Sequence, residues 1–146
     1  MKQRLNFYKA SPGSLAAMQA LEQAVQSSGL ERPLVELVKL RASILNGCAF
    51  CVDMHTKDAR RSGETEQRLY LVAAWKESPL YTPRERAALA WTDALTLLPQ
   101  SQAPDDAYEE AAREFSEEEL VKLTLLIVAI NGWNRFAVGF RMVHPT

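Results

Sequence analysis

The sequence has little that would commit it to a sheet, a membrane or a nucleic acid. No useful length of chain alternates apolar and polar residues with a period of two, so no segment reads as a strand. Charge of one sign is equally scarce: 17 Lys and Arg stand against 18 Asp and Glu, a formal net charge of -1, and the pI is about 6.1. That balance removes the basic field a nucleic acid or an acidic bilayer would need. Met1 to Asn6 carries no apolar signal-peptide core, and the expected compartment is the cytoplasm. Repeats and low-complexity tracts are missing too, which excludes a solenoid. Cysteine and histidine are limited to two each. At 146 residues the expectation is one domain over 1–146, able to bury roughly two thirds of its extended surface without a disulfide scaffold.

Helical periodicity fills the chain instead. Met1 to Ala10 reads as an extended or irregular lead-in, with Leu5, Phe7 and Tyr8 free to dock. Ser11-Pro12 gives an N-cap and a proline at the first helical position, and Leu15, Met18, Leu21 and Val25 follow at helical spacing until Ser27-Ser28-Gly29. Pro33 opens a second helix that is apolar around most of its circumference and therefore belongs in the interior. Its polar residues Glu36, Lys39, Ser43 and Asn46 form one stripe, and Asn46-Gly47 ends it. A third helix runs from about Ala49 to Arg61-Ser62-Gly63. Only a tight turn separates it from the second, so the two are expected to pack antiparallel, with Glu36 within reach of His55.

Four more helices follow by the same reasoning. Glu64 to Trp75 is one, Thr82-Pro83-Arg84-Glu85 opens a fifth that reaches about Leu98, and Asp105 to Phe115 makes a sixth beyond a Pro99 to Pro104 linker. Ser116-Glu117-Glu118-Glu119 is a capping box that opens the longest apolar segment, Leu120 through Ala137 or as far as Met142. Lys122, Asn131, Asn134 and Arg135 interrupt that segment, which reads as a core helix rather than a span. The class is all-α, a bundle of about six to seven helices.

Both cysteines lie in Asn46-Gly47-Cys48-Ala49-Phe50-Cys51-Val52-Asp53-Met54-His55. On a helix, ~100° per residue puts Cys48, Cys51 and His55 within a stripe ~60° wide. Residues three apart have alpha carbons ~5 Å apart, inside the window for a disulfide. The thiolate is the reactive form of cysteine, and a helix N-terminus or an adjacent imidazole lowers its pKa. Cys48 has the helix end and Cys51 the imidazole, so position alone leaves open which sulfur is the nucleophile. Other uses of these residues compete. Two small buried side chains would need no chemistry, and Cys48, Cys51 and His55 with Glu36 or His144 are acceptable zinc ligands. Glu36 alone would also suit a solvated stripe with Lys39 and Ser43. Asn131, Trp133, Asn134 and Arg135 suit cross-linking of helices or a subunit contact better than substrate binding. His144, in the tail Val143-His144-Pro145-Thr146, has no expected catalytic part.

The interval from Glu36 to Cys48-Ala49-Phe50-Cys51 and on to His55 resembles the signature of the AhpD-like alkylhydroperoxidases, the superfamily related to carboxymuconolactone decarboxylase. Glu85-Arg86-Ala87-Ala88-Leu89-Ala90-Trp91-Thr92-Asp93-Ala94-Leu95 and Ile130-Asn131-Gly132-Trp133-Asn134-Arg135-Phe136-Ala137 are similar to segments of its compact, single-core members. The resemblance implies an AhpD-like helical bundle that assembles as a trimer or hexamer. It implies a hydroperoxide substrate, an external thiol or dithiol reductant, and no cofactor or metal. By position it makes Cys51 the peroxide-attacking thiolate, Cys48 the resolving thiol, His55 the proton partner and Glu36 the carboxylate that orients His55. Phe50 stands where the type member has a second histidine, so one part of that proton relay is missing.

The residues support such chemistry in their own right. Cysteine with a pKa of ~8.5 is only a few per cent thiolate at neutral pH, and a histidine one turn away accepts the proton. A carboxylate fixes the tautomer of that histidine. Attack on an O–O bond gives a sulfenic acid, and the second thiol condenses with it. The alternative is a helical oligomer of the same fold that binds a ligand, senses redox state or acts as a decarboxylase, since branches of the superfamily decarboxylate a lactone without the cysteine pair.

Overall fold

The computed structural model describes residues 1–145, and Thr146 at the end of the tail lies outside the described residues. No strand occurs among them. The α-helices are α1 (Phe7–Ala10), α2 (Pro12–Gln26), α3 (Arg32–Leu45), α4 (Ala49–Arg61), α5 (Glu66–Leu71), α6 (Pro83–Thr96), α7 (Leu98–Ser101), α8 (Asp105–Glu114) and α9 (Glu117–Phe140), with a 3-10 segment at Val72–Glu77. The nine α-helices among the described residues exceed the six to seven expected. The excess comes from two four-residue helices, in stretches too short for periodicity to register.

The first of these, α1, replaces part of the irregular lead-in. Asn6 caps it by accepting the Lys9 N–H, and Phe7 is buried against Phe136 and Phe140. The other, α7, lies in the stretch read as a linker. Pro99 sits in its first turn, and the Ser101 hydroxyl donates to the Ala94 carbonyl at 2.5 Å.

The expected fourth helix breaks at Val72, because arginines from other helices take its carbonyls. Arg41 on α3 donates to Ala73 O at 2.9 Å, and Arg86 on α6 donates to Trp75 O and Ser78 O. Ala74 leaves helical geometry at φ -118°, ψ 31°. The capping boxes at Thr82/Glu85 and Ser116/Glu119 both form. Ser11 instead pairs its hydroxyl with that of Ser14 at 2.7 Å, and makes no side-chain cap.

The middle of the molecule belongs to α3, which packs on α4, α6 and α9. Leu34 and Val38 enter a core shared with α6 and α9, including Ala88, Leu123 and Ile127. Leu37 and Leu40 enter a second core with Leu69, Val72, Trp75 and Leu89. Both faces of α3 are thereby buried, as its all-round apolar pattern requires.

By length and mean hydropathy (1.3), α9 could cross a membrane. Here it packs on α2, α3 and α6, and its asparagines are tied to neighbours. Asn46 Nδ2 donates to Asn131 Oδ1 at 3.0 Å and to Asn134 Oδ1 at 2.9 Å. Asn134 Nδ2 donates to Ser43 Oγ at 3.0 Å, and Asn131 Nδ2 to Thr96 Oγ1 at 3.0 Å. These residues therefore join α3, α6 and α9.

Candidate active site

The α3–α4 turn places the cysteines. Gly47 adopts φ +63°, which a Cβ would oppose, and the chain reverses there with the Cys48 N–H bonded to Ser43 O at 2.9 Å. Cys48 is thereby the N-cap of α4, and its Sγ accepts the Cys51 N–H at 3.3 Å. Cys48 and Cys51 are joined as a disulfide with alpha carbons 5.3 Å apart. Both cysteines are buried, and Ala137, Phe50 and Met142 pack against them.

One turn beyond Cys51, His55 is 4% exposed and Glu36 of α3 is 8% exposed. His55 Nδ1 lies 3.1 Å from Glu36 Oε2. Antiparallel packing of α3 on α4 brings the pair together, and the stripe of Glu36, Lys39 and Ser43 is buried rather than solvated. Burial alone would raise the Glu36 pKa. The hydrogen bond with His55 and the nearby charges of His55, Lys39 and Arg32 outweigh it and hold the carboxyl below its ordinary value. A carboxylate so placed fixes the imidazole with Nδ1 toward Glu36 and leaves Nε2 for other work.

Cys51, His55 and Glu36 line one cleft of 380 Å³. Phe50, Met54, Ile130, Trp133 and Met142 give it apolar walls, and Tyr8 and Arg32 also border it. Its polar side holds a trio that the sequence did not reveal. Lys39 forms an ion pair with Glu22 of α2, and Trp133 Nε1 donates to Glu22 Oε2 at 3.2 Å. Trp133 thus belongs to the cleft wall rather than only to a cross-link. Glu22 lies four residues after Met18 and three before Val25, on the apolar face of α2, and that is the signal that could have found it.

The zinc set weighed from the sequence is not assembled: the sulfurs are joined to each other, and exposed His144 pairs with Pro145 O at 3.0 Å. The metal-capable atoms that converge are those of Glu36, His55 and Asp58, within 4.8 Å of one another. Asp58 was also missed, though it follows His55 by three residues on the same helix face.

Fold and site together define an all-helical protein with a dithiol at a helix N-terminus, backed by a histidine–carboxylate pair. The chain belongs to the carboxymuconolactone decarboxylase family, whose model matches residues 12–94. It is 44% identical over 139 residues to the uncharacterized protein YdfG of Bacillus subtilis, covering 95% of each chain. A crystal structure from Agrobacterium tumefaciens, of a protein of unknown function described as a candidate AhpD antioxidant-defence protein, is 56% identical. It superposes with a TM-score of 0.97 over 99% of both chains. The debrominase Bmp8 shares the fold alone, at 21% identity and a TM-score of 0.85 over 94% of this chain and 74% of its own. The fold is therefore the all-α AhpD-like one, with a Cys-x-x-Cys pair at Cys48 and Cys51.

Proposed function

We propose that this protein is a thiol-dependent hydroperoxide reductase of the alkylhydroperoxidase type. The observation that carries the reading is the convergence of Cys51, His55 and Glu36 in one apolar-walled cleft, with Cys48 in bonding contact behind Cys51. In the reduced protein, His55 takes the Cys51 proton, and the thiolate attacks the distal peroxide oxygen. The O–O bond breaks, Cys51 becomes a sulfenic acid, and the departing alkoxide takes a proton to leave as alcohol. The Cys48 thiol then displaces water from the sulfenic acid, forming the Cys48–Cys51 disulfide. Two equivalents of an external thiol, or one dithiol, restore the starting state.

Phe50 replaces a proton-relay histidine with an apolar ring on the cleft wall. The relay then runs through His55 and Glu36 alone, and organic hydroperoxides fit such a wall better than hydrogen peroxide does. No cofactor takes part in this cycle.

We further propose a homo-oligomer, a trimer or hexamer, acting in the cytoplasm; Val121 and Val128, 70% and 54% exposed on one face of α9, suit a subunit contact. Light scattering on the purified protein measures that directly.

For the reaction, reduced protein is mixed with one equivalent of cumene hydroperoxide, and thiols are counted and mapped. Loss of both thiols as a 48–51 disulfide, with Cys48→Ser leaving a dimedone-reactive sulfenic acid on Cys51, is the expected result. Slow oxidation without a mapped product, equal in wild type and Cys48→Ser, overturns the reading in favour of a non-peroxidase helical oligomer that binds a ligand or senses redox state.

A further inference from the structure

The two cysteines line different cavities. Cys51 lines the cleft with His55 and Glu36, and Cys48 does not. Cys48 lines a second cavity of 250 Å³ that Cys51, His55 and Glu36 do not reach. Phe50, Ala137 and Met142 border both and form the partition between them.

The charge of the second cavity differs from that of the first. Arg4 and Arg141 line it, and no carboxylate side chain does among the described residues. Arg4 is fixed in place: its N–H donates to Phe140 O at 2.9 Å, and its Nη1 to Gly139 O at 3.0 Å. Arg141 stands at the C-cap of α9 with φ 54°, and its exposed guanidinium has no protein partner among the described residues. The peroxide-side cleft, by contrast, carries both signs on its lining, Glu22, Glu36 and Asp58 with Arg32 and Lys39.

Thiol–disulfide exchange requires the incoming, attacked and leaving sulfurs to lie nearly in line. A donor that attacks Cys48 must therefore approach from the side away from Cys51, and the second cavity is bordered by Cys48 and not by Cys51.

We propose that this cavity is the docking site of the electron donor, a small thiol bearing a carboxylate, which Arg4 and Arg141 hold for attack on Cys48. The proposal rests on the dithiol chemistry proposed above and adds the donor's class and its point of entry. The donor thiolate bonds to Cys48 Sγ, the Cys48–Cys51 bond breaks, and Cys51 leaves as a thiolate that takes a proton from the His55 side. A second donor thiolate attacks the donor sulfur of the mixed disulfide. Cys48 then leaves as a thiolate, stabilised by the Cys51 N–H and the N-terminus of α4. Two donor thiols become one donor disulfide, and the protein regains both thiols. Oxidant and reductant thus use opposite ends of one bond and do not compete for the cleft.

The test starts from the isolated disulfide form and uses no peroxide. Rates of reduction by 3-mercaptopropionate, 2-mercaptoethanol and cysteamine are compared per thiolate, for wild type, Arg141→Gln, Arg141→Glu and Arg4→Glu. In wild type the anionic thiol is expected to lead the neutral one by about tenfold or more at low ionic strength, with the lead shrinking as salt rises. The glutamate variants are expected to abolish the lead, and Arg141→Gln to reduce it. Arg141→Gln and the wild-type salt series keep the test intact if Arg4→Glu misfolds.

Trapping the mixed disulfide with iodoacetamide should place the donor on Cys48 and the alkyl group on Cys51. An anionic-to-neutral ratio that ignores salt and both arginines, or a donor mapped to Cys51, overturns the proposal. A chain inert to peroxide that keeps the charge preference leaves the donor site standing and sinks only the peroxidase reading. Peroxide turnover without the preference does the reverse.

Discussion

His55 Nδ1 lies 3.1 Å from Glu36 Oε2, with both side chains buried in the cleft that Cys51 also lines. In the proposed mechanism this fixed imidazole is the general base for Cys51, and such a base contributes about 10²–10⁴-fold to rate. His55→Asn should therefore slow the oxidation of Cys51 by an organic hydroperoxide about 10²-fold or more at pH 7. Glu36→Gln keeps the shape and loses the charge, and a smaller loss, about tenfold, is expected. Raising the pH supplies thiolate without help from a base. The deficit of both variants should accordingly narrow toward pH 9 in stopped-flow measurements, whereas a purely structural role would leave it constant.

The Glu36 carboxyl is held below its ordinary value of 4.5 by His55, Lys39 and Arg32, against the opposing effect of burial. A carboxyl more acidic in the folded state than in the unfolded chain adds stability above its unfolded pKa, and that contribution fades as pH falls through the folded value. Glu36→Gln has no such dependence. The stability difference between wild type and variant should therefore shift against wild type between pH 6.5 and pH 3.5, read from urea midpoints. A difference that stays level, or moves toward wild type in acid, contradicts the assignment.

Asn134 is 1% exposed, and its amide accepts from Asn46 and donates to Ser43. Removing it from α9 takes a hydrogen-bond partner from buried Ser43 and from half-buried Asn46 on α3. The cost of leaving such groups without a partner is about 1–3 kcal/mol. Asn134→Leu should lower the unfolding free energy by roughly 2 kcal/mol on that basis, measured in denaturant. Asn131, half-buried on the same helix, should cost less when replaced by Ala, and the order of the two tests the network.

Caps and periodicity made the long helices legible. Pro12, Thr82-Pro83 and Ser116 mark starts that depend on a few adjacent residues, and Gly47 marks a turn that needs a positive φ. The pairing of Glu36 with His55 was legible for a related reason, because a tight turn between two helices fixes their antiparallel register. What the sequence could not reveal depends on distant side chains. The break at Val72 arises from Arg41 and Arg86, neither of which belongs to that helix. The contact of Trp133 with Glu22 spans 111 residues, and the partition between the two cavities is built from α9 and its C-terminal extension as well as α4. Helices α1 and α7 have four residues each, too few to show a period of 3.6.

Gly132 presents a case where two opposing effects can be ranked. It lies inside α9 without a positive φ, so helical backbone entropy favours alanine by about 0.5–1 kcal/mol. Against this, an added Cβ would meet Met18 Cε at 3.0 Å and Sδ at 3.6 Å. Both are at the end of a flexible side chain on α2, which is only partly buried and can yield a few tenths of an ångström by rotating its terminal bonds. The backbone gain should therefore win. Gly132→Ala is expected to raise the unfolding free energy by up to about 1 kcal/mol, read as a higher denaturant midpoint at an unchanged slope. If stability falls instead, Met18 is held more rigidly between α2 and α9 than its thioether allows, and the α2 wall of the cleft is stiffer than its packing indicates.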